Sequence, residues 1–369
     1  MPERRPLDFG RHEATTPAAA ADGGAPADPA VMDDRAAAAL LPERPPRGHK
    51  GTFGKVLVIA GSMDYAGAAL LVCRAAARAG AGLVTLAVPE SLQPLFAAKV
   101  VEATTMALPE DDVEEVDPEP AFARILDHEH DAIVVGPGLR PGLATAELVR
   151  LLLAAPEAQG QGEGEGPLVA GEEPALVPPI VLDAEALRSM ATLGEWWNAT
   201  GRICVLTPHP GEFERLRSGS GLEPDVIEDL VGDDVARRGA AIAAAGAWRQ
   251  VVVLKGAKTV IAEPDGSVAI APFENPALAT GGTGDVLAGI IGALLAQGVA
   301  PGAAARLGVY LHGTAGDLVR ERLGDAGLLA SDLPDAVPLV RKRLAGVAER
   351  NRGGKRLGFA VRDSDGAGA

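Results

Sequence analysis

Aromatic residues make up only 3% of this 369-residue chain, and it contains only two cysteines. Cys73 and Cys204 lie in a predicted helix and a predicted strand, and neither has a CxxC partner or a nearby histidine. We therefore expect two inert, buried thiols. Because 47% of the residues are hydrophobic, the chain can still bury a large core, built mainly from Ala, Val and Leu.

Long apolar runs and clusters of basic residues are also missing. No apolar stretch approaches the length of a membrane span, and the N-terminus has charges and prolines where a signal peptide has its apolar centre. We therefore expect a cytoplasmic protein with no membrane partner. The formal net charge of −16 argues against nucleic acid as a partner. A small anionic ligand can still be held by local backbone dipoles.

Short β-rich runs alternate with helix-length runs along most of the chain. This alternation predicts an α/β fold with a mostly parallel central sheet flanked by helices on both faces. The turn at 264–266 joins two further runs, which predicts an antiparallel hairpin at the sheet edge. The predicted strands are Lys55–Ala60, Gly82–Val88, Ala132–Val135, Ile180–Asp183, Ile203–Leu206 and Val251–Leu254, with Thr259–Ala262 and Val268–Ala271 as the hairpin.

Three segments fall outside this pattern. Residues 1–30 mix Ala, Pro, Gly and Asp with little apolar periodicity, which predicts a disordered N-terminal tail. Residues 159–179 repeat Gly with Gln or Glu and are interpreted as a low-complexity surface insertion. Residues 351–369 are expected to form a flexible C-terminal tail. The catalytic domain is therefore predicted to span residues 31–350.

Nearly every predicted strand ends in a turn that carries Gly, Pro, His or Asp. In open α/β sheets, ligands bind outside the carboxyl ends of the strands, so these turns should converge on one pocket. The turns are Gly61–Ala69, Gly136–Leu139, Asp183–Glu185, Thr207–Glu212 and Lys255–Thr259.

A glycine-rich segment, Asn275–Asp285, runs directly into the apolar helical stretch Val286–Gln297. Unpaired N–H groups and the positive end of the helix dipole make such a junction a seat for an anion, and phosphate is the expected occupant. Asp285 lies where a bound phosphoryl group needs a base or a metal partner. The alternative is that Asp285 is only a favourable charge at a helix start.

The other candidate residues each have a structural alternative. The small residues Gly67 and Ala68 can serve close helix packing or admit a flat ring against the backbone. Gly136-Pro137-Gly138 can be a rigid strand exit, although ligand contact is favoured. Prolines on both sides of His209 fix its backbone, which favours a functional imidazole.

For Lys255, two interpretations stay open, because the ammonium can pair with a nucleotide phosphate or with a structural carboxylate. His312, in a helical run, is interpreted as a packing residue. Trp196 and Trp197 are interpreted as a surface or core patch and not as a stacking platform.

Several segments, taken in order, resemble one known family. They are HKGTFGKVLVIAGS, YAGAALL, VVGPGL, LTPHPGEF, VVVLKGAKTVI and NPALATGGTGDVLAGIIGALLAQG. Together they are similar to the ADP-dependent NAD(P)H-hydrate dehydratases of the ribokinase-like superfamily, over roughly residues 31–347. The GTGD turn alone indicates only the superfamily, whereas the ordered set with the HPGE turn is far more specific.

The resemblance implies ADP-dependent dehydration of the S-epimer of hydrated NADH or NADPH, with Mg²⁺ as cofactor and a homotetrameric assembly. A vitamin-precursor kinase of the same fold is the nearest alternative. Because nothing before Val31 is long enough for the epimerase domain of some relatives, we expect a separate epimerase. The resemblance implies Asp285 as the catalytic base; Ala68, Gly138, His209 and Asp285 as hydrate contacts; Lys255, Gly256, Ala257, Lys258, Thr259 and Gly284 as the ADP site; and Gly282, Thr283 and Gly284 as an anion hole. It does not identify the metal ligands, although Asp183 and Glu212 lie at suitable strand ends.

Overall fold

The computed structural model describes residues 30–155, 177–218, 220–222 and 229–357. Most of the predicted N-terminal tail, most of the predicted insertion and the end of the predicted C-terminal tail lie outside the described residues. Ala30, which was assigned to the tail, begins the first strand.

The described strands form one large mixed sheet and one small hairpin. The large sheet has the order β1-β12-β11-β10-β9-β8-β7-β2-β3-β4, and β5 pairs only with β6. The pairs from β10 through to β4 are parallel, whereas β11 is antiparallel to both of its neighbours. The strands are β1 (Ala30–Val31), β2 (Lys55–Ile59), β3 (Leu83–Pro89), β4 (Thr104–Leu108), β5 (Glu110–Asp112), β6 (Glu115–Val116), β7 (Ala132–Val135), β8 (Ile180–Leu182), β9 (Val205–Leu206), β10 (Val251–Leu254), β11 (Val260–Ala262) and β12 (Val268–Ile270).

Helices cover both faces of the large sheet. Alternate residues of β2 point to opposite faces, so that Val56 and Val58 join one buried cluster while Leu57 and Ile59 join the other. The first cluster includes residues of the helices Ala66–Arg78, Thr283–Ala296, Pro301–Leu323 and Leu333–Leu357. The second includes residues of the helices Pro118–Leu126, Leu143–Ala154, Glu185–Met190, Pro210–Arg217 and Asp234–Trp248. The helices are α1 (Asp34–Ala39), α2 (Ala66–Arg78), α3 (Gln93–Ala97), α4 (Pro118–Leu126), α5 (Leu143–Ala154), α6 (Glu185–Met190), α7 (Trp196–Ala199), α8 (Pro210–Arg217), α9 (Asp234–Trp248), α10 (Thr283–Ala296), α11 (Pro301–Leu323) and α12 (Leu333–Leu357).

The predicted fold class is confirmed, because the sheet is mostly parallel and carries helices on both faces. Every predicted strand is present, and the predicted hairpin is β11–β12. The sequence-based list omitted β1, β4 and the β5–β6 hairpin. In β4, Thr104 is exposed, partly buried residues alternate with buried ones after it, and two of the five residues are threonines, so this strand lacks the continuous apolar run of the central strands.

The aromatic and sulfur-containing side chains lie where they were expected. Trp196 is buried, meets Trp197 edge to face and packs beside Trp248 in the core. Cys73 and Cys204 are both buried, and no disulfide joins them. Burial raises the pKa of the Cys73 thiol to about 12, so this thiol is unreactive at neutral pH.

From Val286 to Ala296, the helix α10 is apolar and buried all round, which is typical of a helix in the core. Two of its glycines allow close approach to its neighbours. A Cβ on Gly289 would overlap the Val72 carbonyl oxygen of α2, and a Cβ on Gly292 would overlap the Val134 side chain of β7. The glycines therefore set the position of α10 against both α2 and the sheet.

Gly289→Ala should lower the free energy of unfolding by about 1–3 kcal/mol, because the added methyl must push α10 away from α2. Gly239→Ala is the matched control, since Gly239 is an exposed helical residue of α9 whose added Cβ meets nothing. That control should gain about 0.5–1 kcal/mol. Urea unfolding of both variants measures the difference; equal effects would contradict the close α10–α2 approach.

Candidate active site

The first turn of α10 leaves backbone N–H groups available to a ligand. Gly282 is the N-cap residue in a left-handed conformation (φ 91°), and no side chain caps the helix. The Thr283 N–H makes a long bond to the Thr280 carbonyl, at 3.4 Å. Within the described residues, the N–H groups of Gly284 and Asp285 have no acceptor. Because the helix dipole adds positive potential here, this turn is suited to an anion.

Four charged side chains meet beside this turn. The Lys255 ammonium, at the end of β10, lies 2.8 Å from Asp183 Oδ1 and 3.7 Å from Glu212 Oε2. Burial acts to lower the pKa of Lys255, but the attraction of Asp183 and Glu212 outweighs it, so the pKa is raised and the lysine stays charged. Both interpretations of Lys255 from the sequence remain possible, because the ammonium that pairs with these carboxylates also lines a cavity.

Asp285 is the third carboxylate of this cluster and lies in the first turn of α10. Its pKa is raised to about 7, mainly by burial and then by repulsion from Asp183, while Lys255 opposes the shift. A carboxylate with a pKa near 7 can take up a proton at neutral pH, which is the property that a general base requires.

His209 is held at the start of α8. Its Nδ1 accepts hydrogen bonds from the N–H groups of Gly211, at 3.1 Å, and Glu212, at 3.4 Å. In return, a Glu212 carboxylate oxygen accepts from the His209 N–H at 2.8 Å, which completes a capping box. The imidazole is 53% exposed, so a ligand can reach the ring, and its Nε2 lies 3.4 Å from Glu212 Oε1. Glu212 therefore connects His209 to the Lys255 cluster.

A cavity of about 470 Å³ opens beside the anion-binding turn. Its wall includes Lys255, Gly256, Ala257, Thr259 and Gly284, all of which were predicted to line the ADP site. The wall also contains residues that the sequence reasoning did not assign to the site. These are mainly apolar side chains without a chemical signature, namely Phe273, Leu278, Leu287 and Val309, together with His312.

Lys258 is the predicted nucleotide-site residue that the cavity wall does not include. It adopts a left-handed conformation (φ 53°) and its ammonium pairs with Glu274 at 2.6 Å and Asp234 at 3.1 Å. The side chain is 44% exposed, so these ion pairs add little stability. Lys258 therefore lies at the rim, turned toward two carboxylates.

Ala68 and Gly138 lie together on the other side of the site. Gly138 is left-handed (φ 67°), and a Cβ there would be 2.8 Å from Ala68 Cβ, so only glycine lets the two turns approach so closely. A Cβ on Gly282 would likewise lie 2.7 Å from Leu71 Cδ1 of α2. The turn after β7, the start of α2 and the start of α10 are therefore adjacent.

The described strands and helices form an α/β fold of the ribokinase-like type. A ribokinase-like superfamily protein of Enterococcus faecalis has a similar fold, with a TM-score of 0.63 at 24% identity, over 86% of this chain and 96% of that chain. Residues 56–339 match the NAD(P)H-hydrate dehydratase family. The chain therefore belongs to that family.

Individual relatives agree with this assignment. The ADP-dependent (S)-NAD(P)H-hydrate dehydratase of Xanthomonas campestris is 35% identical over 304 residues, which is 81% of this chain and 92% of that protein. The bifunctional NAD(P)H-hydrate repair enzyme of Moorella thermoacetica is 41% identical over 309 residues, 82% of this chain but only 52% of the relative. The chain thus spans about half the length of such bifunctional relatives.

A solved structure from the same family is also similar. The ADP/ATP-dependent NAD(P)H-hydrate dehydratase of Bacillus subtilis, co-crystallised with ATP and Mg²⁺, has a TM-score of 0.67 and 32% identity. The similarity covers 86% of this chain and 99% of that chain.

Asp285→Asn should stabilise the ligand-free protein at pH 8 by on the order of 2–4 kcal/mol. The folded-state pKa of about 7 lies above the unfolded value of about 4, so the unfolded chain loses its proton first as the pH rises. The destabilisation of the folded protein by ionised Asp285 is absent below about pH 4, grows between the two pKa values and is complete above the higher one. Urea unfolding at pH 4, 6 and 8 tests this, and a gain that does not change with pH would contradict it.

Proposed function

We propose that this chain removes water from the S-epimer of hydrated NADH and NADPH with ADP as co-substrate, releasing AMP and phosphate. Asp285 beside the free N–H groups of α10 is the observation that carries the proposal. Membership of the NAD(P)H-hydrate dehydratase family and the names of the Xanthomonas and Neisseria meningitidis relatives support it.

The reaction needs a phosphoryl transfer because hydroxide is a poor leaving group. The C6 hydroxyl of the hydrate attacks the terminal phosphorus of ADP and the bond to AMP breaks. The ring-nitrogen lone pair then expels phosphate from C6, and loss of a C5 proton restores the double bond. The site of a small-molecule kinase is thereby used for a dehydration.

The positions of the groups support the following roles. Asp285 accepts the proton of the C6 hydroxyl as that oxygen attacks. The backbone N–H groups around Gly282, Thr283 and Gly284 hold the negative charge that develops on the phosphoryl oxygens. Ala68, Gly138 and His209 contact the hydrated dinucleotide, while the nucleotide lies along the turn Lys255–Thr259 and Gly284.

Mg²⁺ fits this site as an ion held mainly through water and the nucleotide phosphates. Asp183, Glu212 and Asp285 offer the hard carboxylate oxygens that Mg²⁺ prefers. Among the described residues, however, no three His, Cys, Asp or Glu side chains converge as a direct ligand set. When bound, the ion offsets the charge of the transferring phosphate.

Three features of the cellular context are also proposed. The chain works in the cytoplasm. None of its described helices combines the length and apolar character of a membrane span. It assembles as a homotetramer. It depends on a separate epimerase for the other epimer of the hydrate, an activity that the bifunctional relatives' names imply is joined to theirs.

Asp285→Asn should lower turnover of hydrated NADH by about 10²–10⁴-fold, because the general base is lost, while ADP affinity stays nearly unchanged. The assay follows recovery of the reduced-nicotinamide absorbance with ADP and Mg²⁺. Asp335→Asn is the matched control, since Asp335 is a half-exposed partner of surface arginines and lies away from the cavity wall. Wild-type turnover by the Asp285→Asn variant would refute the assignment.

Product analysis in the same assay separates the proposal from the nearest alternative. A vitamin-precursor kinase releases a stable phosphoester of its alcohol substrate, whereas the dehydratase releases free phosphate and regenerated NADH. Detection of a phosphoester with a thiazole or pyrimidine alcohol, and none of the repair activity, would favour the kinase.

His209→Ala should weaken binding of the hydrate while leaving ADP affinity unchanged. The alanine also removes the helix cap of α8, an effect of about 1 kcal/mol on stability. His209→Asn separates the two effects, because asparagine keeps a capping side chain and loses the imidazole. Equal losses of hydrate affinity in both variants indicate ligand contact, and a loss confined to the alanine variant would mean that His209 acts only as a cap.

A further inference from the structure

The fold and the proposed phosphoryl transfer leave one polar side chain in the cavity wall without an assigned role. His312 lies in the middle of α11 and lines the 470 Å³ cavity with Lys255 and Gly284. Its Nε2 lies 2.9 Å from the carbonyl oxygen of Thr283, in the first turn of α10. The imidazole is therefore attached to the same turn that carries the free N–H groups.

This contact determines where the proton of the imidazole lies. A carbonyl oxygen can only accept, so Nε2 must carry the hydrogen that it donates to Thr283. Burial lowers the pKa of His312 to about 4, so the ring is neutral at physiological pH. In a neutral ring with its hydrogen on Nε2, Nδ1 has a bare lone pair and can only accept.

Among the described residues, Nδ1 receives no hydrogen bond. The bond to Thr283 is the hydrogen bond that His312 makes among the described residues. Sealed polar atoms without a partner do occur in this protein, for example Trp248 Nε1 and Thr314 Oγ1, but Nδ1 of His312 is not one of them. Nδ1 is therefore accessible, and the space that His312 lines is the cavity.

Other polar side chains in the wall are already occupied by the protein. The Thr283 hydroxyl lies 2.9 Å from the carbonyl oxygens of both Leu278 and Thr280 and shares its one hydrogen between them, and the Thr259 hydroxyl donates to the Gly256 carbonyl. The Asn275 amide bonds both to Asp317 and to the N–H of Ala277. These groups have partners in the protein, and the rest of the lining is mainly apolar. The lone pair of His312 Nδ1 therefore needs a hydrogen-bond donor on the ligand.

We propose that His312 Nδ1 accepts a hydrogen bond from a ribose hydroxyl of the bound nucleotide, which makes His312 a determinant of ribonucleotide specificity. The inference rests on the proposed function, because it places ADP in this cavity. Since His312 is bonded to Thr283, next to Gly284, it lies near the phosphate end of the cavity. The ribose is the part of ADP that joins the phosphates, and its hydroxyls are donors.

Three ligands test this by calorimetric titration: ADP, 2′-deoxy-ADP and 3′-deoxy-ADP. The wild-type protein should bind one of the two deoxynucleotides about 5- to 12-fold more weakly than ADP, the loss of one hydrogen bond. His312→Gln keeps an N–H for Thr283 but places no acceptor at the Nδ1 position. In this variant, ADP and that deoxynucleotide should bind equally.

His312→Asn is the matched variant, because its side-chain oxygen lies near the Nδ1 position while the donor to Thr283 is lost. It should keep the preference for ribose even if its thermal stability falls. Loss of the preference in the asparagine variant with retention in the glutamine variant would overturn the proposal, since it would show that His312 acts only through Thr283. A wild-type protein with no preference between ADP and either deoxynucleotide would also overturn it.

A fourth ligand, IDP, tests recognition of the base. If His312→Gln changes the ratio of ADP to IDP affinity and leaves the deoxynucleotide ratios unchanged, the histidine contacts the base and the ribose assignment is wrong. Failure of this inference is distinguishable from failure of the proposed function. A wild-type protein that binds no ADP at all defeats the proposed nucleotide site, whereas ADP binding without discrimination defeats only the role of His312.

Discussion

The ion pair between Lys255 and Asp183 is the interaction on which the site depends. The buried side chains of Asp183 and Glu212 lie 2.8 and 3.7 Å from the Lys255 ammonium, which offsets their negative charge. These side chains follow three adjacent strands, β8, β9 and β10, at their carboxyl ends. The pairing therefore also fixes three of the site's turns relative to one another.

The same cluster has an excess of negative charge, and that excess has a chemical use. With Asp285 it contains three carboxylates and one ammonium, and burial with repulsion from Asp183 raises the pKa of Asp285 to about 7. Asp285 can therefore accept a proton at neutral pH, although its burial lowers the stability of the folded protein. The free backbone N–H groups at the start of α10 offer a local positive potential to an anion, so a net charge of −16 does not preclude a nucleotide ligand.

Much of this arrangement could be predicted from the sequence, because it depends on local signals. Continuous apolar runs predicted β7, β8 and β10, and the glycine-rich turn before an apolar run predicted the start of α10 with Asp285 in its first turn. What depends on distant partners could not be predicted. The carboxylate partners of Lys255 and the cavity position of His312 exist only after folding, and half-buried β4 carries too weak a pattern.

The proposed anion site lies at the start of α10 and not on a surface helix. A phosphoryl-transfer site requires hydrogen-bond donors in fixed positions. Donors stabilise developing charge best when they do not have to reorient during the reaction. From Val286 to Ala296, α10 is buried on every side, and Gly289 and Gly292 let it pack closely against α2 and β7. Its first turn is therefore held by the core itself, while Asp285 and the free N–H groups face the site. The packing that makes the core rigid therefore also holds Asp285 and the free N–H groups in fixed positions.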